Sequence, residues 1–143
     1  MKFYWPAIAL IILGIFIVVS PWTIAPVCEV NGMYAKLTSG KDFPMPCGWT
    51  ARAELGIGAL VVVAGILLAF AKSAEAKMMI GIFGAVLGLL VILFPTVITK
   101  MCALADHPCN LLTKPLLIIL GLIAIIVSGW VIYTSRNETG KEG

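Results

Sequence analysis

Four long apolar runs separated by shorter polar segments dominate this chain. They cover residues 4–24, 50–71, 78–98 and 115–133, each close to the roughly 20 residues that a helix needs to cross a bilayer core. Tyr4 and Trp5 open the first run and Trp22 closes it. At about 1.5 Å per residue the two tryptophans lie roughly 25 Å apart, the spacing of two interfacial belts. Thr50 is read as the N-cap of the second span, and Pro115 sits in the first turn of the fourth. The link over 72–77 is short, so the third span runs antiparallel beside the second. Gly81, Gly84 and Gly88 line one face of the third span, and Gly121, Ala124 and Ser128 line one face of the fourth. Both stripes are read as packing faces where helices approach closely. Trp130 and Tyr133 mark the end of the fourth span, and the polar tail after it is read as frayed.

Two polar segments, 25–49 and 99–114, are each bracketed by cysteines: Cys28 and Cys47 in the first, Cys102 and Cys109 in the second. In the first, Asn31-Gly32 stands between short runs able to pair, the local signal for a two-residue hairpin turn. The Gly- and Pro-rich stretch after it, 39–49, reads as irregular loop. Stepping back by sevens from Cys102 meets Pro95, Gly88 and Gly81, and from Cys28 meets Pro21, Gly14 and Ala7. Arg52 follows Cys47 at the same spacing at which Lys114 follows Cys109. The pattern predicts two parallel copies of a helix-loop-helix unit in one membrane domain, 1–143, with a small disulfide-pinned cap outside the bilayer.

Composition agrees with a membrane chain. Of 143 residues, 61% are hydrophobic and 12% charged, and the mean hydropathy is +1.07, outside the range of soluble domains. The net charge of +3 is spread along the chain and excludes a nucleic-acid-binding tract. The N-terminal run is too long for a signal-peptide core and lacks a cleavage motif before Cys28, so it is read as an uncleaved span. Basic residues do not orient the chain. With both termini inside, Lys2, Lys72, Lys77, Arg136 and Lys141 balance Lys36, Lys41, Arg52, Lys100 and Lys114 outside. Cysteine placement orients it instead: paired cysteines persist in oxidising compartments, which puts both loops outside the cell membrane and both termini in the cytoplasm.

The segments CGWTARAELGIG and MCALADHPCNLLTKP resemble an uncharacterised family of small prokaryotic four-span membrane proteins, the domain of unknown function 4418 family, over nearly the full length. The resemblance is carried by Pro21, Cys28, Cys47 with Trp49, Thr50 and Glu54, and Cys102 and Cys109. Family members carry His directly after the cysteine matching Cys47, where this chain has Gly48, which weakens an imidazole-based role there. The association of such proteins with neighbouring ABC-type permease genes implies an accessory role.

Three kinds of chemistry fit the cysteines. The first is structural, two disulfides pinning the outer loops at about 2–4 kcal/mol each. The second is a thiol relay like that of the quinone-linked four-span disulfide oxidases, although no C-x-x-C is present to lower a thiol pKa. The third is a soft copper or zinc site in which His107, Met45 or Met101 joins the thiolates. Of the other polar candidates, Glu54 is read either as a functional intramembrane carboxyl or as a partner for its own helix dipole. Arg52 is read as snorkelling outward. No phosphate-binding loop, H-E-x-x-H or nucleophile elbow occurs. The expectation is therefore a non-enzymatic accessory or interaction subunit of a membrane transporter, with no cofactor, no nucleic acid, and the lipid bilayer as its surroundings. A membrane thiol oxidoreductase is the first alternative, and a metal-handling protein the second.

Overall fold

Proline punctuates each helix of this chain. The structure, a computed structural model, describes residues 4–24, 35–36, 39–40, 42–43, 46–98 and 109–142. Helix α1 (Tyr4–Val19) carries Pro6 in its first turn, where few backbone bonds are lost, and α2 (Pro46–Phe70) starts on a proline. Helix α1 passes into a wider π-turn, π1 (Ser20–Ile24), holding Pro21. Helix α3 (Ala74–Leu93) does the same in π2 (Phe94–Ile98), holding Pro95. A third, π3 (Cys109–Thr113), leads into α4 (Lys114–Glu142), whose second residue is Pro115. A proline ring clashes with the carbonyl one turn back and brings no N–H, and widening the turn relieves that clash.

Three boundaries differ from the sequence reading. Helix α2 begins at Pro46, so Thr50 stands inside it and is not its cap. Helix α3 begins at Ala74, capped by Ser73, whose hydroxyl accepts from the Ala76 N–H at 3.3 Å. Ser73 with Glu75 in the first turn is a capping signal that the apolar run starting at Met78 overshadowed. The C-terminal tail is helical to Glu142 rather than frayed. There Lys77 Nζ lies 3.3 Å from Glu138 Oε2, joining the start of α3 to this extension.

Outside the helices, β1 (Ala35–Lys36) pairs antiparallel with β2 (Asp42–Phe43), Ala35 opposite Phe43, and Gly40 between them takes a positive φ of 75°. This two-residue pairing lies partly in the stretch expected to be irregular. The hairpin expected at Asn31-Gly32 falls outside the described residues.

Four helices, Tyr4–Ile24, Gly48–Phe70, Ala74–Ile98 and Leu111–Gly140, are long and apolar enough to cross a membrane. The all-helical architecture fits a multi-pass membrane protein. In lipid no hydrophobic force drives helix against helix, so close backbone packing has to hold them. Helix α1 packs chiefly on α2 and α3 on α4, and the two pairs meet through α2 with α3 and α1 with α4. A Cβ on Gly14 would fall 2.8 Å from the Gly58 carbonyl oxygen, and one on Gly58 3.0 Å from the Gly14 oxygen. In the second pair, a Cβ on Gly88 would fall 3.0 Å from the Gly121 oxygen, and one on Gly121 2.8 Å from the Gly88 oxygen. Only glycine lets either pair of backbones come this close.

The two pairs bury matching positions. Helix α1 with π1 buries Pro6, Ala7, Leu10, Leu13, Gly14, Ile17, Ser20 and Pro21. The shift from Ala7 to Gly81 carries these to Ile80, Gly81, Gly84, Leu87, Gly88, Val91, Phe94 and Pro95, all buried or partly buried. Likewise the buried Glu54, Ile57, Val61, Ala64 and Leu68 of α2 correspond, by the shift from Gly58 to Gly121, to the buried Leu117, Leu120, Ala124, Val127 and Val131 of α4.

Candidate functional site

Among the described residues, π1, the first half of α2 and π3 hold most of the buried polar side chains. Ser20, Thr50, Glu54 and Thr113 are 0–1% exposed. Burying a carboxyl in a helix bundle is costly unless something compensates it. Among the described residues, neither Glu54 oxygen has a hydrogen-bond partner, and neither does the Ser20 hydroxyl.

Helix register brings these two residues together. Ile17 and Val18 touch the backbone at Gly58. One turn beyond Ile17 is Ser20, and one turn before Gly58 is Glu54, so in an antiparallel pair they occupy the next layer. Thr50 follows one turn later on the same face as Glu54. The corresponding layer between α3 and α4 holds Phe94 and Leu117, both apolar. The carboxyl thus belongs to one helix pair alone.

The remaining candidates sit elsewhere. Arg52 is exposed, with its guanidinium carbon 5.8 Å from the Trp49 ring centroid. Since α2 begins at Pro46, Glu54 lies in the third turn, past the first turn where a helix dipole acts most strongly. Cys47 is the second residue of α2 and Cys109 the first of π3. Cys28, Cys102, His107, Met45 and Met101 lie outside the described residues, as do both cysteine pairings. Among the described residues, no three His, Cys, Asp or Glu side chains gather as they would around a metal ion. A groove of about 360 Å³ on the outer face of α3 and α4 is lined by Ile82, Ala85, Val86, Leu89, Ile125 and Ile132 and offers no polar group.

Sequence reasoning singled out Glu54 but missed Ser20. The usable signal was a serine directly before Pro21, placed on the same face as Gly14 and Ile17.

A family model, described as a domain of unknown function (DUF4418), matches residues 10–134. This chain belongs to that family. No curated protein and no solved structure matches it. For a DUF4418 member, the matched region holds the second and third apolar helices, most of the first and fourth, Ser20, Glu54 and all four cysteines.

Proposed function

We propose that this chain is a non-enzymatic accessory or interaction subunit of a membrane transporter. The observation that carries the reading is how the polar and apolar surfaces are distributed. Its helices close on one another through glycine contacts. Outward they present large apolar side chains, among them Trp5, Ile12, Phe16, Leu67, Phe83, Ile126 and Trp130. Such a body is suited to packing laterally in a bilayer against lipid or another membrane chain.

The same proposal includes two parallel repeats, supported by the matched burial of the two helix pairs and by the shared position of Pro21 and Pro95 in their π-turns. It also includes an outer cap pinned by Cys28–Cys47 and Cys102–Cys109 disulfides, with the termini in the cytoplasm. Pairing each cysteine within its own loop closes a short segment; Cys28–Cys102 with Cys47–Cys109 is the pairing it competes with.

Co-expression with an ABC-type permease of the same cell tests the reading. The two chains should purify together in detergent in a fixed ratio, and single Cys→Ser variants should trap no mixed disulfide. A permease that purifies and works equally well without this chain would overturn the accessory role. Accumulation of covalent partners would replace it with thiol exchange. Non-reducing peptide mapping should give the two within-loop disulfides.

A further inference from the structure

The buried layer between α1 and α2 has an unusual donor set for a bundle interior. Both Glu54 oxygens and the Ser20 hydroxyl are shut away from solvent without a partner among the described residues. Thr50, also fully buried, adds a hydroxyl one turn away on the Glu54 face. Pro21, which brings no N–H, places Ser20 at the start of the widened turn π1. These groups are all oxygens: one carboxylate and two hydroxyls beside an irregular helix turn. Oxygen donors at an irregular turn are the means by which membrane helices hold small hard cations.

We propose that Glu54, Ser20 and Thr50 form an intramembrane binding site for a single monovalent cation of sodium size. Charge selects the valence. One carboxylate is neutralised by one positive charge, whereas a divalent ion would leave a net charge in the apolar interior. Among the described residues, π1 and π2 carry no charged side chain and the α4 counterpart of Glu54 is Leu117, with Lys114 one turn before it at the start of α4. Arg52 on α2 itself points to the exposed side. Position near the loop end gives an ion its shortest path from the aqueous phase. The site stands independently of the accessory reading.

Purified full-length protein in detergent tests this with sodium chloride against choline chloride at equal ionic strength. An apolar carbodiimide, which attacks buried carboxyls, should modify Glu54, and the adduct is read by mass spectrometry. Sodium should slow that modification about tenfold at ten times its half-protecting concentration, as simple occupancy requires. It should also raise the melting temperature of the native chain but not of Glu54→Gln. Should Glu54→Gln fail to fold, Ser20→Ala keeps the test alive: it retains the carboxyl and should need several-fold more sodium for half-protection. Equal modification rates in sodium and choline would overturn the site. A rate that responds to pH yet ignores sodium would overturn it too, leaving a proton as the sole occupant. Unchanged sodium protection in Ser20→Ala would remove the serine and the layer geometry from the proposal.

Discussion

Glu54 and Leu117 occupy matching places in the two helix pairs, so they separate what packing requires from what a carboxyl adds. Both are fully buried, and leucine fills its place without a polar group. Leaving buried carboxyl oxygens unpartnered costs about 1–3 kcal/mol. Glu54→Leu should therefore gain stability of that order in sodium-free buffer, measured as a higher thermal or detergent-unfolding midpoint. A lower midpoint would mean that residues outside those described already compensate the carboxyl. A residue this costly is retained against a packing alternative that the same molecule uses elsewhere, which is why it ranks as the main functional candidate.

Between elements, the glycines divide into two classes that sequence alone did not separate. Gly14, Gly58, Gly88 and Gly121 face a neighbouring backbone at distances where a Cβ does not fit, while Gly56 and Gly129 meet nothing within 4 Å. All lie in helices. Gly88→Leu should prise α3 from α4 and cost several kcal/mol, on the order of an overpacked core substitution or more. Gly56→Ala and Gly129→Ala should be neutral or gain up to about 1 kcal/mol from helix propensity. Unfolding in mixed detergent measures all three. A stable Gly88→Leu protein would show that the α3–α4 contact is looser than these distances imply. At the other end of the same pair, Lys77 and Glu138 are partly exposed, and such a bridge contributes about 0–1 kcal/mol. The pair therefore aligns the α4 extension more than it holds it.

For the whole molecule, alternating helices put Cys47 and Cys109 at one end and the Ala71–Ser73 link at the other. Which end faces the cytoplasm is the orientation proposed from the cysteines. Single cysteines at Ser39 and Ser73, in a cysteine-free background, should differ in reaction with an impermeant maleimide on intact cells. Ser39 should label and Ser73 should not. Equal labelling or the reverse would overturn this orientation, and the reverse would place the Glu54 layer at the cytoplasmic end.

The number of helices, their apolar character and the small-residue faces were legible in the chain, because lipid forces each span to satisfy its backbone within itself and to carry about 20 apolar residues. The glycine stripe of the third span also pointed to Gly88 as a contact position before any neighbour was known, whereas Gly14 stood out only as part of a repeat. Family membership was legible too, from Pro21, Cys28, Cys47, Glu54, Cys102 and Cys109. Helix boundaries were not: Thr50 is a good cap by type, but Pro46 starts the helix earlier, and only backbone geometry distinguishes the two. The π-turns were equally hidden, since proline near a helix end allows a stop as well as a widened turn. Above all, tertiary structure decided that Ser20 and Glu54 share a sealed layer. They are far apart in sequence, and their meeting depends on the register that the Gly14–Gly58 contact imposes across the helix pair.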